Sequence, residues 1–396
     1  MPSYPLSDIL YISFDTVPNA KGAGVHIEAF CKILAEQFAP VHLLTVAEGI
    51  EPIPTYTMSD RLYHTQLPAR GKNLIDRVID FRQRVRQWLT DQHFRVIHFR
   101  SIFEGFWLVR EQNHYADYFI FEVNGLPSIE LKYRYPQILD DPDLLQKLKA
   151  QENYCLQKSD VVITPSPVTA NFLEKRGTNR EKIQIIPNGV DPELFTPALE
   201  KIKSDNFTTV YFGTFASWQG WELAVRAIAQ LPDNFQLKLI GHGNKLQLRS
   251  VQKLVRKLNI SQRVQLLPAM FQSQLVKHLQ TADAIVAPLT LCDRNVVQGC
   301  CPLKILEGMA VGVPVVASDL PVVKCLGRDR EHFLLVRPNS VDGIVSALKE
   351  LFTDALLAQK LAQQGRWHIL ENFTWQKVGE QLLAVYRSLD YSSTHQ

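Results

Sequence analysis

Lys304 and Glu307 stand three residues apart in CPLKILEGMAVGVPVVASDLP (301–321), an otherwise apolar stretch. Pro302 suits the first turn of a helix and Gly312 suits the position just past its end. The spacing therefore predicts a helix over about 302–311, running into the strand VPVVAS (313–318). On that helix the two charged residues share a face, while Ile305, Leu306 and Met309 bury the other. Lys304 falls in the first turn, where free N–H groups and the helix dipole attract anions. A phosphate fits there, and Glu307 can take hydrogen bonds from sugar hydroxyls one turn deeper. Phosphate beside ribose describes a nucleotide. The same spacing also suits a partly buried surface ion pair.

Other candidates lie at strand ends. VIHFRSIFEG places His98, Arg100, Ser101 and Glu104 where doubly wound sheets bind ligands, and makes Arg100 a candidate acceptor or phosphate contact. GHG (241–243) reads as a tight turn or a nucleotide neighbour, and His26 as a helix-start residue or one facing the ligand. DDPD (140–143) follows no strand and precedes Leu144, Leu145 and Leu148, so it reads as the solvated start of a helix rather than a metal site. In RGKNLIDRVIDFRQRVRQWL (70–89), Leu74, Val78, Phe81, Val85 and Trp88 share a face crowded by Arg77, Arg82, Arg84 and Arg86. Such a helix packs on its own domain or lies on an anionic membrane.

The elements that must position these residues alternate regularly. Strands are predicted at 9–14, 41–46, 96–99, 118–123 and 161–166, with a helix at 24–38. IQIIPNGVDPELFTP (183–197) and the polar KIKSDNF mark a boundary, after which strands return at 208–215, 235–241, 263–268, 284–289 and 313–318. The fold class is α/β: two Rossmann-like doubly wound parallel-sheet domains facing a central cleft, residues 1–197 and 198–373. A last helix at about 374–396 is expected to pack back on the first domain.

Composition narrows the functions. The 396 residues carry 43 Lys/Arg and 40 Asp/Glu, and a net charge of +3 argues against a nucleic-acid partner. Residues 1–197 hold 21 basic and 24 acidic side chains (−3), the rest 22 and 16 (+6), which suits an anionic ligand in the second half. No apolar run is long enough to span a bilayer, and MPSYPLSDILYISFDT shows no signal-peptide pattern. Six cysteines without CxxC spacing read as free thiols in a reducing cytoplasm.

The chain resembles the retaining glycosyltransferases of family 4, which have the GT-B architecture. The resemblance runs through NAKGAGVH (19–26), FEVNG (121–125), SDVVITPSPVTANFLEKRG, IIPNGVDPELFTP, VYFGTFASWQGWELAVRAI, LIGHGN and LEGMAVGVPVVASDLP. It implies transfer of a sugar from a nucleoside-diphosphate sugar to a hydroxyl of a glycan, a lipid-linked acceptor or a small acceptor. Donor contacts fall to Gly22, Gly24, Gly213, Thr214, Lys304 and Glu307, acceptor contacts to Arg100, Glu122 and Asn124, and catalytic roles to Lys304 and Asn124. Glu307 matches the ribose-holding last Glu of the E-x7-E signature. No metal and no cofactor are implied, and the expected place is the cytoplasm or the inner face of a membrane.

Departures from the pattern matter. Gly299 replaces the first signature Glu, Thr214 and Gln219 replace two loop cations, and Asn124 stands where a His is common. Lys304, with Arg294 as a second cation, must then meet the diphosphate. Front-face return, in which the departing phosphate takes the acceptor proton, needs no enzymic base. The missing charges also admit a non-catalytic nucleotide-sugar-binding protein in an assembly complex, and the fold admits a nucleotide-sugar epimerase.

Overall fold

The computed structural model describes residues 7–20, 22–200 and 204–392. Lys21 of the glycine loop, residues 1–6, residues 201–203 of the linker and the last four residues of the predicted terminal helix lie outside them. The chain divides into two compact units, Met1–Ile186 with Gly379–Gln396, and Pro187–Val378.

The first unit is built on eight strands: β1 (Ile9–Ile12), β2 (Val41–Val46), β3 (Ile53–Ser59), β4 (Leu62–Leu67), β5 (Phe94–Phe99), β6 (Ala116–Glu122), β7 (Val161–Thr164) and β8 (Ile183–Ile185). Their order is β3-β4-β2-β1-β5-β6-β7-β8, and only β3 runs antiparallel, against β4. The edge hairpin was not foreseen from sequence. Its IPTYTMS strand is half exposed and mostly polar, so it lacks the apolar run that marks a buried parallel strand. The central strands are buried on both faces, and Leu10, Ile12, Ile97, Phe99, Phe119 and Phe121 lead the core.

The second unit has β9 (Phe207–Thr214), β10 (Phe235–His242), β11 (Val264–Pro268), β12 (Ala284–Ala287), β13 (Val315–Ser318) and β14 (Leu334–Val336). All pairings are parallel, in the order β11-β10-β9-β12-β13-β14. This is the doubly wound order that reverses between its first and fourth strands, at β9 and β12. Tyr211, Phe235, Leu237, Val286 and Val316 anchor its core.

Both helices with alternative readings are resolved by their caps and partners. Asp141 accepts a hydrogen bond from the Leu144 N–H and caps the helix Pro142–Lys158, so DDPD opens a helix. On Leu74–Trp88, Arg77 donates to the Ala69 carbonyl, Arg82 to the Ile102 and Phe103 carbonyls, Arg84 to Asp80 and Arg86 to Glu111. These arginines are engaged within their own unit, which favours a packed helix; Ile75 and Ile79 remain exposed. No described helix is long and apolar enough to cross a membrane.

Candidate functional site

The residues singled out from sequence fall into two clusters, one in each unit. In the second unit the helix forms at Leu303–Ala310, one residue inside the predicted bounds at each end, with Pro302 as its N-cap. Gly312, at φ +66°, closes it. The Gly312 N–H bonds the Met309 carbonyl and the Val313 N–H the Gly308 carbonyl, the paired bonds of a Schellman ending.

Lys304 and Glu307 are both buried, and they do not form a salt bridge. The Lys304 ammonium lies 4.2 Å from the centre of the Tyr211 ring and has no hydrogen-bond partner. It sits at the C-terminal end of β9: a Cβ added to Gly213 would stand 3.3 Å from Nζ. Gly213 (φ +129°) turns the chain there, and Tyr211 donates 2.6 Å to the Thr214 carbonyl. The Thr214 hydroxyl is buried without a partner. Approach of backbone is equally close at Gly241, where a Cβ would overlap the Gly213 carbonyl oxygen. Glu307 Oε1 accepts 2.6 Å from Gln272 Nε2.

Burial sets the electrostatics. It pushes the Lys304 ammonium down to about 7, against the pull of Cys300 and Glu307. It pushes the Glu307 carboxyl up to about 7, against Gln272 and Lys304. A buried cation with no hydrogen bond and no carboxylate in contact is costly, and a phosphate supplies both the bond and a contacting charge.

Between β12 and this helix, Arg294–Gln298 forms a π-helical turn, a feature the sequence did not signal. Arg294 stacks over Trp218 with its guanidinium 5.4 Å from the ring centre. Asn295 bridges the Trp218 and Thr290 carbonyls. Gly299 ends the turn at φ 86°, ψ 168°. That region is essentially restricted to glycine, so the absence of the first signature Glu comes with a backbone that excludes it.

In the first unit, Glu122 at the end of β6 is the hub of a buried network. Tyr11 Oη donates to its Oε2 at 2.5 Å, and His98 Nε2 lies 3.0 Å from the same oxygen. His26 Nε2 is 2.9 Å from Oε1, Arg100 Nε donates to Oε1 at 3.0 Å, and Asn124 Nδ2 donates to it as well. Burial raises the carboxyl, but His26, Arg100 and the histidine hydrogen bonds outweigh it and hold Glu122 well below the usual carboxylate range. Arg100 reaches on to Asp15 Oδ2 at 3.0 Å. Tyr386, from the helix Trp375–Ser392, meets His98 Nδ1 at 2.8 Å.

The structure therefore brings Arg100, Glu122 and Asn124 together, and adds Tyr11, Asp15, His26, His98 and Tyr386. Gly22 opens the helix Gly22–Gln37, and a Cβ on Gly24 would meet Asn19 at 2.8 Å. Glu104 serves the helix Ile102–Arg110 as a capping box, taking the Arg100 and Ser101 N–H groups. Among the described residues no group of three or more His, Cys, Asp or Glu side chains could hold a metal ion.

Two doubly wound sheets, with these clusters at their strand ends, define the GT-B class. Residues 20–194 match the family described as glycosyltransferase family 4, and residues 206–354 match glycosyl transferases group 1. The chain belongs to this family of GT-B glycosyltransferases. A D-inositol 3-phosphate glycosyltransferase of Stackebrandtia nassauensis is 24% identical over 93% of this chain and 87% of its own. An MMP α-(1→4)-mannosyltransferase of Mycolicibacterium hassiacum is 27% identical, over 60% of this chain and 56% of its own, so the chain spans little more than half of that relative. Among solved structures, sucrose-phosphate synthase from Thermosynechococcus elongatus superposes with a TM-score of 0.84, covering 97% of this chain and 100% of that one at 21% identity. Anabaena HepE in complex with UDP-glucose gives 0.75, covering 96% and 100% at 15% identity. These two likenesses are of fold.

Proposed function

We propose that the protein is a retaining glycosyltransferase that moves a sugar from a nucleoside-diphosphate sugar to a hydroxyl acceptor in polysaccharide or glycoconjugate synthesis. The observation that carries this reading is the orphaned ammonium of Lys304, buried beside Gly213 and one helical turn from Glu307. A diphosphate at Lys304 supplies the hydrogen bond its ammonium lacks, and a ribose at Glu307 adds to the one Gln272 already donates. Negative charge grows on the departing β-phosphate, and a cation already fixed there stabilises that change without reorganising. The phosphate itself then takes the acceptor proton, which fits Asn124, a side chain that cannot act as a base at neutral pH. One relative named above is a D-inositol 3-phosphate glycosyltransferase, and HepE was solved with UDP-glucose. These names support a uridine-type donor and a polyol acceptor.

The test is a melting-temperature screen with UDP-, GDP- and ADP-sugars, followed by release of nucleoside diphosphate on adding acceptor. A ligand bound only by the native state raises its stability. One nucleotide sugar should raise the transition by several degrees. No shift with any of them overturns the donor site. A shift without acceptor-dependent release overturns catalysis and leaves a binding protein.

A further inference from the structure

The Glu122 network is larger than a structural ion pair requires, and among its described members the half-buried Asn124 and the more exposed Asp15 reach its edge. Tyr11, His26, His98, Arg100 and Glu122 are all buried, whereas the Asp15 side chain is 46% exposed. Arg100 Nη1 and the Ser13 hydroxyl both bond Asp15 Oδ2, at 3.0 and 2.9 Å. Asp15 follows β1, and Arg100 follows β5, which is β1's neighbour in the sheet. Both lie at the C-terminal strand ends, where a doubly wound sheet presents its ligand contacts.

The hydrogen bonds have one consistent direction. An ionised Glu122 only accepts, so its oxygen 3.0 Å from His98 Nε2 favours the tautomer that carries the proton there. Its Nδ1 is then an acceptor, and the Tyr386 hydroxyl donates to it. Tyr386, by donating to Nδ1, adds to the preference set by Glu122, as the outer partner of an imidazole commonly does. His98 orients Glu122, Glu122 orients Arg100, and Arg100 fixes Asp15. A carboxylate held this way is preorganised to take hydrogen bonds from neutral hydroxyls, and it repels an anionic group at the same place.

We propose that Asp15 is the contact through which this protein binds the hydroxyls of a neutral polyol portion of its acceptor, and that Tyr386 is a positioning residue acting on Asp15 through His98, Glu122 and Arg100. Arg100 and Glu122 then belong to the support of the acceptor contact. This rests on the transferase reading above, because an acceptor site presupposes transfer.

The experiment measures donor and acceptor kinetics separately. Donors are UDP-, GDP- and ADP-glucose; acceptor probes are glucose, D-inositol and D-inositol 3-phosphate. Asp15→Ala should raise acceptor KM at least tenfold while nucleotide affinity by calorimetry stays within twofold. Asp15→Asn should recover part of that loss. Tyr386→Phe, which keeps the ring and removes one hydroxyl, should raise acceptor KM about threefold. In the Asp15→Ala background it should add nothing, since both act through one contact. Imidazole 15N spectra should show His98 as the Nε2–H tautomer in the wild type and a mixture in Tyr386→Phe. Wild-type failure to turn over every donor–acceptor pair overturns the transferase reading, and this inference with it. Wild-type turnover with unchanged acceptor KM in both Asp15 variants overturns the assignment of Asp15 alone. An unaltered His98 tautomer, or additive KM effects, overturns the role of Tyr386.

Discussion

Replacing Lys304 by Met should make the ligand-free protein more stable and the enzyme worse. The ammonium is buried, has no hydrogen-bond partner and has no carboxylate in contact. Burial moves its titration from 10.5 to about 7. At about 1.4 kcal/mol for each tenfold change, that sets an upper bound of about 5 kcal/mol on the cost of keeping it charged in the fold. Met keeps the length and most of the apolar stem. It loses the contact with the Tyr211 ring, worth about 1–2 kcal/mol when desolvated. A net gain of at most about 3–4 kcal/mol remains, or several degrees at about 2–4 °C per kcal/mol for a unit of this size. The lysine's folded titration point is depressed, so its penalty is complete below pH 7 and fades as pH rises towards 10.5. The advantage of Met must therefore be greatest at pH 7 and below and vanish in strong alkali. Nucleotide affinity should fall by about 1.5–3 kcal/mol, the worth of a charge-assisted hydrogen bond, and kcat should fall with it. Chemical denaturation across pH, with calorimetry for the nucleotide, measures both. A Lys304→Met protein that is less stable at pH 7 and binds donor normally would refute the reasoning.

Three further outcomes follow from the same geometry. Nucleotide affinity should be highest near pH 7. Above it the buried Lys304 loses its proton, and below it Glu307, also held near 7, gains one and ceases to accept from the ribose; calorimetry over pH 5–9 giving a flat profile would contradict this. Glu307→Gln should weaken donor binding by about 1.5–3 kcal/mol with kcat nearly unchanged, whereas a fall in kcat alone would remove Glu307 from ribose binding. Gly299→Glu should not improve turnover and should cost about 1–3 kcal/mol, because φ 86°, ψ 168° strains any side chain; a gain in activity would show that the turn Arg294–Gln298 adapts.

The sequence made the donor helix legible because all its signals are local. Pro302, the apolar spacing and Gly312 fix its ends, and Lys304 and Glu307 share its face by helical period alone. The strands around them were legible as apolar runs. The Glu122 network was not, since Tyr11, His26, His98, Glu122 and Tyr386 come from five separate segments and meet only through strand register and a returning helix. His98 on β5 and Arg100 just past its end, two apart, were a visible pair at a strand end. Asp15 carried no such mark, being a single acid in a loop. The glycine-specific backbone at Gly299 was equally hidden, because a missing Glu in a sequence does not reveal why it is missing.

The helix Trp375–Ser392 also has a meaning in time. Residues 7–186 leave the ribosome long before Tyr386, Leu382 and Leu383, which complete the buried interior of the first unit. Until then His98 lacks its donor, and the surface that Gly379 covers at Ile33 is bare. The second unit, continuous from Pro187 to Val378, has every residue it needs earlier. Domains usually fold in the order of synthesis, but here the first to emerge must be the last to finish. A chain stopped short of Gly379 would hold an intact second unit beside a first unit that a protease or chaperone recognises as incomplete.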